Sequence, residues 1–158
     1  MLQESDVWKI LKQVMDPEIP AVSIVELGIV REVAVQGDCA RVSLAPTFSA
    51  CPALEVIQRQ VEADLLQAGI QPLVNWSASP PWSSDWITPD GRLKLASIGL
   101  VPPPRHSGLI ELALIERVTC PFCGSIDTTQ KNSFGPTLCR SIFYCNSCRQ
   151  PFERFKPV

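Results

Sequence analysis

Cys120-Pro121-Phe122-Cys123-Gly124 and Cys145-Asn146-Ser147-Cys148 set two Cys-x-x-Cys pairs near the end of the chain, with twenty-one residues between them. A tetrahedral metal site needs soft thiolates converging at about 2.3 Å from the ion, and two short pairs on facing turns supply four with little chain strain. Each fragment therefore reads as a metal knuckle. Gly124 strengthens the reading, because a residue free to adopt positive φ lets backbone N–H groups turn toward the sulfurs. The competing readings are two disulfides or reduced thiols scattered through a core. Cytosolic thiols seldom persist as structural disulfides, which favours the metal.

Working outward, 158 residues suit one medium domain with a small appendage. Composition is 46% hydrophobic and 19% charged, ordinary for a folded protein, and fifteen prolines imply many fixed turns. No apolar run approaches the roughly 18 residues that span a bilayer. The opening Met1-Leu2-Gln3-Glu4-Ser5-Asp6 has no basic and apolar leader pattern, so a cytoplasmic location without membrane partners is expected. The formal charge of -2 hides an asymmetry: residues 1–116 carry eight basic and fourteen acidic side chains, residues 117–158 six basic and two acidic. Four thiolates on a divalent ion would remove much of the tail's excess, which argues against a nucleic-acid partner that needs a dense basic face.

Ser5 can cap a first helix with apolar positions Val7, Ile10, Leu11 and Val14, which Asp16-Pro17 should end. Strands are expected over Ile29–Gln36 and Cys39–Ala45, joined by a Gly37-Asp38 hairpin turn. A helix over Pro52–Ala68 follows, with Pro52 at its first position, Cys51 as cap, a stripe of Leu54, Ile57, Val61 and Leu65, and Gly69 as its stop. Further on come a strand at Ile70–Trp76, a short helix near Arg92–Ser97, and strands at Leu109–Val118 and Thr137–Tyr144. Trp82 and Trp86 follow prolines and read as aromatic anchors of a loop, either packed over the sheet or set on a partner-binding rim.

Cys51 is the candidate reactive group of the first part. A thiol at a helix N-terminus faces free N–H groups and the positive end of the dipole, which makes it a better ligand or nucleophile. The Asp16-Pro17-Glu18 loop could bring carboxylates to the same sheet edge. The plainer alternative, a half-buried cap thiol beside a proline helix stop, stays open.

The order helix, Asp16-Pro17-Glu18-Ile19-Pro20, Val25-Glu26-Leu27-Gly28, hairpin, Thr47-x-Ser49-x-Cys51-Pro52-Ala53, helix, strand resembles the small iron-sulfur assembly domain of cytosolic Fe-S targeting factors and bacterial Fe-S maturation proteins. Adding Pro81-Trp82-Ser83-Ser84-Asp85-Trp86-Ile87-Thr88, Arg92-x-Lys94-Leu95, Gly99-x-Val101-Pro102-Pro103 and the four-cysteine tail, the chain resembles the PaaD (PaaJ) family of accessory proteins of phenylacetyl-CoA epoxidase. The resemblance implies an α+β fold, a small sheet with helices packed on one face, followed by a zinc-ribbon-like β module. The expected limits are 1–104 for the assembly-type domain, 105–117 for a connector and 118–158 for the ribbon. It implies an accessory role in assembling or maintaining iron-sulfur or iron centres for phenylacetate degradation, with Asp16, Glu18, Thr47, Cys51 and Pro52 as matching transfer-site positions. Partners would be the oxygenase or iron-sulfur reductase subunits, and a homodimer sharing a cluster stays open.

The residues independently exclude the oxygenase centre itself. A carboxylate-bridged di-iron bundle uses two Glu-x-x-His motifs, and His106 is the one histidine in the chain. No Gly-rich nucleotide fingerprint occurs either, so no independent catalytic centre is expected. A closed four-cysteine zinc site has no open position for water, which makes it structural, whereas iron in the same cage would be a rubredoxin-like redox centre. Cys39, at the start of a strand, reads as structural, and Cys139 as an ordinary small core residue. Cys139, some 20 Å along a strand from Cys145, stays outside the quartet and is the one extra thiol that could serve transfer or redox work. Three functions compete: a maturation factor acting through Cys51, a docking adaptor with a structural ribbon, and, last, a nucleic-acid-binding ribbon.

Overall fold

Ala40, Val42 and Leu44 alternate with Cys39, Arg41 and Ser43, and the strand they form buries the first set completely. That alternation organises the first sheet. Strand β1 (Val30–Gln36) pairs antiparallel with β2 (Cys39–Leu44) across a turn in which Gly37 takes φ +64. β2 in turn pairs in parallel with β3 (Gln71–Trp76), giving the order β1-β2-β3. A parallel pair needs a crossover, and helix α2 (Ala53–Gln67) supplies it. One row, Val33, Val42 and Val74, faces the core, while the next, Ala34, Arg41 and Leu73, is on the open face. Helix α1 (Glu4–Leu11) contributes buried Val7 and Leu11 to the covered side, and α2 contributes Ala53, Ile57, Val61 and Leu65. Each large side chain among them adds about 1.5–3 kcal/mol when fully withdrawn from water.

The computed structural model describes residues 2–105 and 117–157. It divides into two compact units, Met1–Gly91 and Arg92–Val158, the division falling ahead of the limit expected at 104. His106, most of the connector expected at 105–117 and nearly all of the strand expected at Leu109–Val118 lie outside the described residues.

Several boundaries differ from expectation for local reasons. α1 begins before Ser5, because the Asp6 carboxylate reaches back to the Gln3 N–H at 3.3 Å and caps the helix there. It also ends at Leu11, well before Asp16-Pro17, with Gln13 N–H closing on the Ile10 carbonyl at 2.9 Å. α2 starts at Ala53; Pro52 already has helical angles (φ -66, ψ -17), and the Cys51 carbonyl accepts from Leu54 N–H at 3.3 Å.

Between helix and sheet, Ser23 and Glu26 cap one another: Ser23 N–H donates to Glu26 Oε2 at 2.9 Å, and Glu26 N–H donates to Ser23 Oγ at 3.2 Å. The turn they build is clasped from the far side. Trp82 is buried and its Nε1 donates to the Leu27 carbonyl at 3.0 Å, Thr88 N–H donates to the Glu26 carbonyl at 2.9 Å, and Arg31 stacks over the Trp86 ring 3.4 Å from its centroid. Both tryptophans thus serve packing.

Helix α3 (Pro89–Ser97) is longer than expected. The second sheet has order β4-β7-β6-β5, from β4 (Leu100–Val101), β5 (Thr128–Asn132), β6 (Arg140–Cys145) and β7 (Pro151–Phe155). Its β4–β7 pairing is parallel and the other two are antiparallel. Val118, Phe143 and Phe152 form its core together with Cys120 and Cys145, the two phenyl rings stacked at 5.8 Å. This is the expected α+β arrangement, a helix-covered sheet followed by a β module.

Candidate functional site

The two knuckles repeat one hydrogen-bonding pattern. Cys120 N–H donates to the Ser125 carbonyl at 2.9 Å and Cys145 N–H to the Gln150 carbonyl at 3.0 Å. Gly124 N–H then returns to the Cys120 carbonyl, and Arg149 N–H to the Cys145 carbonyl, both at 2.9 Å. Each turn closes through a left-handed residue, Gly124 at φ 74 and Arg149 at φ 61. Inside them, Phe122 N–H points at Cys120 Sγ (3.4 Å) and Cys148 N–H at Cys145 Sγ (3.5 Å). Facing sulfurs pair across the turns, Cys120 with Cys148 at 3.6 Å and Cys123 with Cys145 at 3.5 Å, and all four lie within 4.8 Å of one another.

Four sulfurs at about 2.3 Å from a central ion would stand about 3.8 Å apart, so the quartet fits a tetrahedral cation. The N–H group of Cys148 pulls the Cys145 thiol down to about 6, while burial pushes Cys148 up to about 12. Without a cation the cage resists full ionisation, so an entering ion must displace protons. Cys139 lies outside this group, just before β6, with its sulfur 3.2 Å from the Thr137 hydroxyl.

Cross-links between the knuckles carried no signal in the sequence. Ser125 Oγ meets Ser147 Oγ at 2.8 Å, and Asn146 donates its backbone N–H to the Asp127 carbonyl (2.9 Å) and its Nδ2 to Asp127 Oδ1 (2.8 Å). Arg149 was missed too, since arginine is not a residue one looks for at positive φ; aligning the knuckles would have placed it opposite Gly124. Arg149→Gly is expected to stabilise the metal-loaded chain by about 0.5–1 kcal/mol, the left-handed strain outweighing the added unfolded-state freedom. A urea midpoint measured at fixed metal checks it.

In the first unit, the loop after α1 and the start of α2 come together. Cys51 is half-buried, and its thiol lies 3.8 Å from Glu18 Oε2 across thirty-three positions of sequence. Asp16 is buried, and its Oδ1 accepts the N–H groups of Glu18 and Ile19, both at 2.8 Å. Thr47 sits half-buried in the turn before α2, and Pro52 is exposed at the helix start. The arrangement offers one sulfur and one carboxylate to the same edge, a mixed donor pair suited to a transition-metal ion.

Two family models match the chain: an iron-sulfur cluster assembly protein model over residues 4–69 and the PaaD zinc beta ribbon domain over residues 107–156. Across 157 residues the chain is 39% identical to the D component of the "Putative 1,2-phenylacetyl-CoA epoxidase" of Escherichia coli (strain K12), covering 99% of this chain and 94% of that protein. The chain belongs to the PaaD family. A "Fe-S protein maturation auxiliary factor" of Porphyromonas gingivalis is 30% identical over 97 residues, 58% of this PaaD chain and 90% of that protein. Among solved structures, the crystal structure of a domain of unknown function, DUF59, from Bacillus anthracis matches with TM-score 0.54 and 29% identity, over 58% of the PaaD chain and 90% of that one. Both of these relatives are nearly spanned by the shared region, so the ribbon is what this PaaD protein adds to them. Among the described residues no helix is long and apolar enough to cross a membrane.

Proposed function

We propose that this chain is an accessory maturation factor for a phenylacetyl-CoA epoxidase, in which Cys51 and Glu18 transiently hold iron or an iron-sulfur cluster as cargo and the ribbon serves as a zinc-stabilised docking module. The observation that carries the reading is the meeting of the Cys51 thiol with the Glu18 carboxylate at the start of α2. A half-buried thiol beside a carboxylate can take up and release a metal, whereas a thiol sealed in hydrocarbon could not. Support also comes from the family models, which pair an assembly domain with a zinc ribbon. The partner assignment, to the oxygenase or its iron-sulfur reductase, rests on the name of the Escherichia coli relative. On this reading the chain has no catalytic centre of its own.

A second reading, a docking adaptor that never touches metal at Cys51, is favoured by the exposure of Phe122 (60%) and Ile126 (63%) around the first knuckle. Large apolar side chains on a ribbon tip are suited to a protein surface. Cys51→Ser separates the two. Maturation by thiol chemistry predicts unchanged partner pull-down and loss of epoxidase activity when the enzyme is matured in the variant's presence. Full activity would leave the adaptor reading standing. Metal analysis of anaerobically purified protein is expected to give about one zinc per chain with no visible absorption, as a d10 ion in the thiolate cage gives, whereas iron there would absorb.

A further inference from the structure

We propose that Asp16 is a positioning residue and no ligand of the transfer site: it holds the Pro17–Ile19 turn so that the Glu18 carboxylate meets the Cys51 thiol. The inference rests on the Cys51 reading above and assigns this loop residue a different role from Glu18.

Asp16 is 7% exposed, and a buried carboxylate needs partners. It finds them in the backbone, where Oδ1 accepts two N–H groups at 2.8 Å, from Glu18 and Ile19. Two short bonds occupy both acceptor directions of that oxygen. The same loop is closed from the other side, with Asp16 N–H donating to the Val22 carbonyl at 2.9 Å and Val22 N–H to the Ile19 carbonyl at 3.0 Å. Ile19, buried to 1% exposure, pins the far end of the turn in the core. Between the buried residues 16 and 19, Pro17 has a nearly fixed φ and Glu18 is the side chain that extends toward α2. It ends 3.8 Å from Cys51. Removing Asp16 would release the two N–H groups and let Glu18 drift, although Asp16 acts on the thiol only through the loop it holds.

The test reads the environment of Cys51 directly, without any cargo. Full-length, metal-loaded protein is treated with iodoacetamide, and peptide mass spectrometry gives the alkylation rate of Cys51 relative to Cys39, the half-buried thiol on the open face of the same sheet. Global unfolding moves both rates, whereas local repositioning moves the ratio. Asp16→Ala is expected to shift the ratio about fivefold, in the direction and size shown by Glu18→Ala, and to add nothing in the double variant. Asp16→Asn keeps the Oδ1 acceptor and is expected to restore the wild-type ratio. Should Asp16→Ala fail to fold, Asp16→Leu, close to asparagine in shape but with no acceptor, takes its place, with a shifted ratio against an unshifted Asp16→Asn expected. An unchanged ratio in the truncated variant, or an Asn variant as altered as the truncated one, would overturn the proposal, the latter showing that charge matters and not the acceptor. Failure of the functional reading would show separately, as full epoxidase maturation by Cys51→Ser with this alkylation pattern intact.

Discussion

Cys145→Ser abolishes metal retention and unfolds the second unit while the first stays folded. The expectation follows from where the ligands sit in that module. Around the cage the buried cluster is Val118, Phe143 and Phe152 together with Cys120 and Cys145, so the ligands are part of the packing they hold. Units below about 70–80 residues rarely draw more than about 3–5 kcal/mol from a single hydrophobic core, and a structural zinc site of this kind contributes apparent binding energy of about 10–16 kcal/mol. Serine offers a harder, weaker ligand, and its shorter Oγ stands farther from both the ion and the Cys148 N–H that the sulfur accepts. The intrinsic chromophores separate the units cleanly: all four tryptophans (Trp8, Trp76, Trp82, Trp86) lie in Met1–Gly91, and the single tyrosine, Tyr144, is in β6. The variant should therefore keep native tryptophan emission while second-derivative absorbance reports an exposed Tyr144 and metal analysis finds the site largely empty, since a closed structural site needs all four ligands. Chelator treatment of the wild type should give the same split, and lowering the pH should weaken retention, since protons compete with the ion for four thiolates. Native Tyr144 absorbance in the metal-free chain would refute the metal's structural role.

The elements legible from sequence are those whose signal is local. The knuckle spacing reads directly, because the ligand chemistry dictates it. So do the hairpin at Gly37 and the stripe of Ile57, Val61 and Leu65, since periodicity and a turn residue agree. The approach of the Asp16-Pro17-Glu18 loop to Cys51 could be anticipated as a shared sheet edge, yet the unequal roles of its two carboxylates could not: which one turns inward depends on the backbone donors of the folded loop. β4 was missed because two residues are too few to show alternation and its parallel partner β7 lies about fifty positions downstream. The start of α1 at Gln3 in place of Ser5 is a competition between plausible caps, settled by the reciprocal capping box of Gln3 and Asp6. Ser23-Ile24-Val25-Glu26 did carry a readable signature, serine followed three residues later by glutamate, but a short turn with no long helix behind it conceals a capping motif.

Gly28→Ala is expected to destabilise the first unit by about 2–5 kcal/mol, combining left-handed strain with overpacking, against about 1–2 kcal/mol for Gly37→Ala. Both glycines have positive φ, +70 and +64, so both variants force an alanine into the region where its Cβ is strained. What differs is the space around them. A Cβ on Gly37 would meet nothing within 4 Å, whereas one on Gly28 would stand 2.6 Å from both the Cβ and the carbonyl oxygen of Trp86. Backbone atoms cannot rotate out of the way, and this stretch is tied down by the Trp82–Leu27 and Thr88–Glu26 hydrogen bonds and by Arg31 over the Trp86 ring. The clasp must therefore open or the turn must shift. Set against a typical domain stability of about 5–15 kcal/mol, the Gly28 effect is large. Urea unfolding followed by tryptophan emission, with Trp86 itself at the point of contact, measures both variants in one assay. Equal midpoint shifts would mean that conformational strain alone accounts for the glycine and that the close approach of Trp86 carries none of the stability of the turn.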